Sequence, residues 1–234
     1  MLNWKEKIPA ERRRELLQRW RRLLRPAWLG TVRTTHPISD GWGFDRGTPV
    51  DRYYIEHFLD EHRSDIHGCV LEVKDNDYTN RFGVGVERSE VLDINAHNPR
   101  ATIIGDLAAD NALPPNTFDC FILTQTLQFI YDTRAVLAQA HRCLRPGGVL
   151  LVTVPALSKL DRRLTDYWRF TPASCALLFG EVFGADNVNI ESFGNVLTAV
   201  SFLLGMAKQE LVQRELDEVD KFFPVIIGVR AVKR

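Results

Sequence analysis

Gly68-Cys69-Val70-Leu71-Glu72-Val73 is a short apolar run with an acid near its end. A polar stretch follows, Lys74-Asp75-Asn76-Asp77-Tyr78-Thr79-Asn80-Arg81-Phe82-Gly83, and then a second segment carrying Glu90 and Asp93. A third run, Ala101-Thr102-Ile103-Ile104-Gly105-Asp106-Leu107, again closes on an acid. In a parallel sheet the carboxyl ends of the strands open into one crevice, so acids placed there converge on whatever the crevice binds. Such a set suits a nucleoside, with a carboxylate for the ribose hydroxyls and a further polar contact for the base.

Outward from this stretch, strands and helices alternate. Strands are predicted at about 69–73, 84–89 (with Asp93 as an outer limit) and 101–104, and the polar stretch 74–83 reads as a loop. Phe118 to Thr124 is a near-continuous apolar run, as expected of a strand covered on both faces. Asp132-Thr133 caps a helix over 134–144, and Arg145-Pro146-Gly147-Gly148 reads as a tight turn into the strand Val149–Val154. Thr171-Pro172 opens a helix through Phe183, Val188–Glu191 is a strand, one or two helices span 194–217, and 222–232 is the last strand. The expectation is an α/β fold: a Rossmann-like, doubly wound, mostly parallel sheet of about seven strands with helices on both faces, plus N-terminal helices.

The first 49 residues read as a basic helix-and-loop extension of a domain spanning 50–234, with a helical insertion near 194–219. Residues 1–30 hold nine Lys or Arg against three acids, although the 234-residue chain is neutral overall. A helix is predicted over 11–25, with Leu16, Leu17, Trp20, Leu23 and Leu24 on one face and Arg12, Arg13, Arg19 and Arg22 around it. It suits either packing on the domain with solvated arginines, or contact with anionic lipid or a polyanionic partner. The 30–50 segment is a loop punctuated by Gly and Pro. Asp45 to Tyr54 sets two acid–base pairs and two phenols beside a turn, which fits a capped helix start or substrate contacts.

Composition narrows the class. Hydrophobic residues at 45% and charged residues at 26% are ordinary globular values. The four cysteines are widely spaced with no CxxC pair, so buried thiols in a reducing cytoplasm are expected, and no His or Cys pair has metal-ligand spacing. No apolar run reaches transmembrane length, the basic start lacks a signal-peptide core, and a cytoplasmic protein is expected. A neutral body does not suggest a nucleic-acid enzyme, and the absence of GxGxxG after the first strand argues against a nicotinamide dehydrogenase.

The ordered set Glu72, an acid after the second strand, Gly105-Asp106-Leu107, Thr117-Phe118-Asp119 and Leu144-Arg145-Pro146-Gly147-Gly148-Val149-Leu150 resembles the class I S-adenosylmethionine-dependent methyltransferases. Tyr78-Thr79…Phe82-Gly83, Thr124-Gln125-Thr126-Leu127-Gln128 and Asp166-Tyr167-Trp168-Arg169-Phe170-Thr171 further resemble a bacterial type 11-like branch, often associated with glycosyltransferase or natural-product pathways. The resemblance implies methyl transfer from S-adenosylmethionine to an acceptor, with a hydroxyl of a sugar, glycan or other small natural product favoured. The alternative is a cofactor-binding, non-catalytic or scaffolding protein of the same fold.

By the resemblance, cofactor contacts would come from Glu72, Asp75, Tyr78, Thr79, Gly83, Glu90, Asp93, Asp106, Leu107, Thr124 and Gln125, with Glu90 ranked ahead of Asp93 for the ribose. Lys74 stands where the family pattern carries its first glycine. Methyl transfer to a hydroxyl asks for positioning and a base. His36 and Asp166 are the candidates taken forward, from a set that also includes Asp51 and Asp161. Arg46, Arg52, Tyr54, Trp168 and Arg169 are candidate acceptor contacts, and each also has a purely structural reading. A homodimer, and contact with a membrane or pathway complex through the basic helix, are further expectations.

Overall fold

The computed structural model describes residues 9–24, 30–109 and 113–234. The chain divides into two compact units, Met1–His36 and Pro37–Arg234. In the first, α1 spans Ala10–Leu24 and a single 3₁₀ turn follows at Gly30–Val32. The helix end expected at Arg25-Pro26 lies outside the described residues.

The second unit is built on seven strands: β1 (Gly68–Val73), β2 (Val86–Asp93), β3 (Ile103–Ile104), β4 (Phe118–Thr124), β5 (Leu144–Pro155), β6 (Val188–Phe193) and β7 (Ile226–Val232). They lie in the order β3-β2-β1-β4-β5-β7-β6. Pairing is parallel from β3 to β5, and β7 runs antiparallel to both β5 and β6. The mostly parallel, doubly wound sheet expected from the sequence is thus the observed one. Its helices are α2 (Val50–Glu61), α3 (Asp77–Phe82), α4 (Thr133–Cys143), α5 (Pro172–Phe183), α6 (Val196–Leu204) and α7 (Gln213–Asp217).

Two cores cover the two faces because strand side chains alternate. Leu71, Phe121, Leu123, Leu150 and Val152 join Val136, Leu137 and Ala140 of α4 and Cys175, Phe179 and Phe183 of α5. Their neighbours Val70, Cys120, Ile122, Val149 and Leu151 join Val50, Tyr54, Ile55, Phe58 and Leu59 of α2 with Phe82, Ala199 and Phe202. Gly228 makes room for α2, since a Cβ there would come within 2.5 Å of the Phe58 ring. The four cysteines are buried free thiols, and burial pushes Cys143 and Cys175 up to about 12.

Several boundaries differ from the sequence expectation. The polar stretch 74–83 is not all loop, because it folds into α3. β2 runs to Asp93, and β3 shrinks to two residues. The turn at 145–148 lies inside β5 as an irregularity in its pairing with β4, where Gly147 takes a φ of 83°. Residues 37–49, read as part of the extension, group with the second unit. The Ile38 and Ser39 amides donate to Leu204 O, the Lys208 amide donates to Thr48 O, and Pro49 bridges to Ala207.

Candidate functional site

The strand order reverses between β1 and β4. β2 and β3 lie to one side of β1, and β4 and β5 to the other. This is the topological switch point, where the loops after neighbouring strands part and leave a crevice. Glu72 is in register with Ile122, so β1 and β4 end nearly level. The residue just past each end, Lys74 at φ 77° and Gln125 at φ 46°, is a non-glycine in left-handed backbone. The two strained positions flank the crevice, and such conformations are held only where surrounding structure over-determines them. Here the Lys74 amide donates to Leu92 O at 2.8 Å, and the Gln125 amide donates to Thr153 O at 2.8 Å. The φ at Lys74 is the physical reason a glycine suits that position.

Glu72 is buried, with 2% of its surface exposed, and its carboxylate turns back under the loop. It accepts from the Tyr78 amide at 3.2 Å, the Thr79 amide at 2.8 Å and Thr79 Oγ1 at 2.7 Å. The first turn of any helix leaves amides without helical partners, and Asn76 provides no side-chain cap to α3. Glu72 supplies that cap from the neighbouring strand. Burial pushes its carboxyl up to about 7 even though the Thr79 and Tyr78 bonds favour the ionised form. Glu72 and Thr79 therefore hold the loop's shape. Asp75 accepts from the Asp77 amide at 3.2 Å within the same loop.

Asp93 ends β2 beside β1. Its two oxygens accept from the Asn95 amide at 2.9 Å and from Asn98 Nδ2 at 2.6 Å, and Asn98 Nδ2 also donates to Lys74 O at 2.6 Å. Loop β1–α3 and the loop after β2 are thereby tied together at the crevice. Glu90 is three residues short of the strand end, opposite Leu71, and pairs with Arg88 at 3.2 Å. The ranking of Glu90 ahead of Asp93 is corrected: strand geometry puts Asp93 at the crevice. Asp106 is exposed beyond β3 and accepts from the Ala108 amide at 2.9 Å, while the Leu107 side chain is buried in the core. Thr124 and Gln125 stand at the end of β4.

Gly83 does not reach the crevice. It ends α3 at the opposite edge, where the next residue's amide bonds Ile66 O ahead of β1. A Cβ at Gly83 would lie 2.5 Å from Thr79 O and from Val86 Cγ2, so this glycine serves packing. Tyr54 is also reassigned: it is 2% exposed and donates to Leu216 O at 3.0 Å as part of the core. Asp166 is bound to Arg169, which also donates to Ser158 O at 3.3 Å and Lys159 O at 3.1 Å. Neither is a free base or a free cation, because the pair organises the loop after β5. His36 is exposed in the first unit, with its amide donating to Thr34 Oγ1. Arg46 is paired to Glu210.

The start of α2 meets the first turn of α3, at the carboxyl end of β1. Arg52 Nη1 donates to Tyr78 Oη at 2.7 Å, so the half-buried Arg52 and Tyr78 brace the loop between β1 and α3. Asp51, 8% exposed in the first turn of α2, is pushed up by burial, and Arg52 offsets this in part.

Two loops rise beside the crevice, 38–48 and 156–170. The buried Ser39 hydroxyl bonds Asp45 and accepts from the amides of Gly41 and Gly43 at 3.2 Å each. The loops meet where Trp42 Nε1 donates to Ser158 Oγ at 3.4 Å and Lys159 Nζ lies 3.8 Å from the Trp42 ring centre. Lys159 and Arg162 both pair with Asp40. Next to them Tyr131, Tyr167 and Trp168 form an exposed aromatic cluster. Tyr131 stacks on Trp168 at 6.1 Å and meets Tyr167 edge-on at 5.6 Å. Trp168 Nε1 is anchored to Ile130 O at 3.0 Å. Ser39, Tyr131 and Lys159 escape sequence reasoning because they lie on three separate loops. Gln128 is buried, with Nε2 donating to Gln125 O at 3.0 Å and Oε1 without a partner among the described residues.

The donor and acceptor set fits an adenosyl cofactor. A buried unpaired acceptor such as Gln128 Oε1 is costly unless a bound group donates to it. Carboxylates at the ends of β2 and β3 suit hydroxyl and amino donors. Among the described residues, no group of three or more His, Cys, Asp or Glu is placed to hold a metal ion.

Residues 74–152 match the family model described as a methyltransferase domain. A Mycolicibacterium smegmatis protein named as a probable S-adenosylmethionine-dependent methyltransferase is 30% identical over 74 residues, 32% of this chain and 29% of that protein. Phosphoethanolamine N-methyltransferase 3 of Arabidopsis thaliana is 28% identical over 116 residues, 46% of this chain and 21% of the relative. The chain thus covers less than a third of the length of these curated relatives. The fold is shared with an S-adenosylmethionine-dependent methyltransferase structure from Archaeoglobus fulgidus, with a TM-score of 0.52 at 15% identity, covering 78% of this chain and 94% of the other. Residues 74–152 thus resemble a methyltransferase domain, and they sit on a sheet whose fold is shared with an S-adenosylmethionine-dependent methyltransferase structure.

Proposed function

We propose that the protein transfers a methyl group from S-adenosylmethionine to a hydroxyl of a sugar, glycan or other small natural product. The observation that supports the reading most is the convergence of Asp93, the Glu72-held loop and Thr124-Gln125 on the switch point. Asp93 would hold the ribose hydroxyls and Asp106 the adenine edge, with Gln125 and Gln128 beside the methionine portion. The cofactor, when bound, supplies a methyl group on a good leaving group. What the chain must add is alignment of the acceptor and a place for its proton. The Tyr131–Tyr167–Trp168 cluster offers flat apolar faces against which a sugar or planar ring can rest. Asp51 takes the place of His36 and Asp166 as the proton acceptor, since burial raises its affinity for a proton beside the crevice.

Calorimetry with S-adenosylmethionine, followed by turnover of an acceptor panel, tests the reading. Binding and methylation of a hydroxyl acceptor are expected, and no binding at millimolar cofactor would sink it. Asp51→Asn is expected to lower kcat by about a hundredfold, as for loss of a general base, and to leave cofactor affinity unchanged. An amine acceptor is the second reading, favoured by the Arabidopsis N-methyltransferase relative. It predicts turnover of amines and little effect of Asp51→Asn.

A further inference from the structure

We propose that α1 docks this protein on an anionic lipid surface, lying in the interface without crossing it. Leu16, Leu17, Trp20, Leu23 and Leu24 recur at the spacing of one helical face, and all five are exposed, from 42% at Leu16 to 73% at Leu24. Five large apolar side chains in solvent along one stripe are a face that asks for a cover. The charge on the same helix says which cover. α1 carries six arginines against two glutamates. By helical spacing, Arg12 and Arg19 border the apolar stripe on one side and Arg14 borders it on the other, and all three are exposed. Long cationic side chains at the borders of an apolar face reach outward to head-group phosphates while their stems stay with the apolar face.

The remaining chain supports the same occupant. Residues 1–30 carry a net charge of +6 and residues 31–234 the balancing −6, so attraction to a negative surface is concentrated on the N-terminal segment. Among the described residues, no helix is long and apolar enough to cross a membrane, and a 15-residue helix with a charged face lies flat. A polyanion such as RNA would use the arginines but would leave the leucines and Trp20 without a role. Lipid uses both.

The test is sedimentation of the full-length protein with vesicles of phosphatidylcholine alone and of phosphatidylcholine with phosphatidylglycerol. Binding is expected to be at least about tenfold stronger to the anionic vesicles and to weaken as salt rises. Trp20→Glu and, separately, Leu17→Glu are expected to abolish it, and Arg12→Glu with Arg19→Glu to reduce it about tenfold or more. Trp20→Phe should keep binding but lose part of the blue shift in tryptophan fluorescence. Thermal unfolding and cofactor affinity should be unchanged in all of them, which separates this proposal from failure of the methyltransferase reading. Absence of sedimentation with anionic vesicles overturns the proposal. So does equal binding by Trp20→Glu and Leu17→Glu, or binding of heparin that needs the arginines but not Trp20 while vesicles are ignored.

Discussion

The two ends of β1 and β4 carry acids with opposite fates. At the amino end, Asp119 accepts from the Cys69 amide at 2.8 Å and from Arg145 Nη1 at 2.7 and 2.8 Å. Burial pushes its pKa up, but these bonds outweigh it and leave Asp119 below the usual carboxylate range. At the carboxyl end, Glu72 has amide and hydroxyl donors but no cation among its bonds, and burial wins. The pair Asp119–Arg145 links two of the motifs that carry the family resemblance, Thr117-Phe118-Asp119 and Leu144-Arg145-Pro146-Gly147-Gly148. Both lie at the closed end of the sheet, away from the crevice. The most recognisable residues therefore tie the strands together at the closed end, and the crevice is lined by the less distinctive loops at the other end.

The contrast can be broken by substitution. Asp93→Asn at the open end should weaken S-adenosylmethionine binding by tenfold or more, the scale of a lost charge-assisted bond, with the melting temperature nearly unchanged. Calorimetry decides it, and parental affinity would return the ribose role to Glu90. Glu72→Gln should cost about 1–2 kcal/mol, because an amide offers one acceptor oxygen to a site built of donors. Its pH signature is specific. The folded pKa of about 7 lies above the unfolded value, so the group's stabilising contribution is complete below about pH 4.3 and is lost as pH rises through about 7. Urea unfolding across that window should show a falling slope in the parent and a flatter one in Glu72→Gln.

Asp119→Asn at the closed end should behave in the reverse sense. Its lowered pKa contributes stability that is present above the unfolded value and lost as pH falls through the folded one. The variant should unfold less steeply in acid and bind cofactor as the parent does. A loss of cofactor affinity there would show that the two ends are coupled. The smallest effect is expected from Lys74→Gly. Relief of left-handed strain of about 1–2 kcal/mol is offset by about 0.4–1 kcal/mol of added unfolded-chain entropy. Stability should rise slightly and cofactor affinity should not fall. A fall would mean that the Lys74 side chain takes part in binding.

The acids at or near the ends of β1, β2 and β3 were legible as strand-end residues, and so were the α4 cap at Asp132, which accepts from the Ala135 amide at 3.0 Å, and the Thr171-Pro172 start of α5. These are local signals: a strand's end, a cap and a turn are written in consecutive residues. The misplacements share one cause. Gly83 and Tyr54 lie near residues of the loop after β1 in sequence or in space, but the course of α3 carries Gly83 to the far edge and α2 turns Tyr54 into the core. Asp166 looked like a base until Arg169, three residues on, folded back upon it.

By itself, then, the sequence determined the class of fold, the alternation of strands and the end of the sheet at which acids gather, because periodicity and burial act over a few residues. The tertiary structure alone decided which acid stands at the crevice. Glu72 turns under its loop to cap α3, Glu90 stops a turn of the pleat too early, and Asp93 remains at the rim. Those outcomes depend on strand register and on which side chain meets which neighbour across the sheet, and such contacts join residues that the chain keeps far apart.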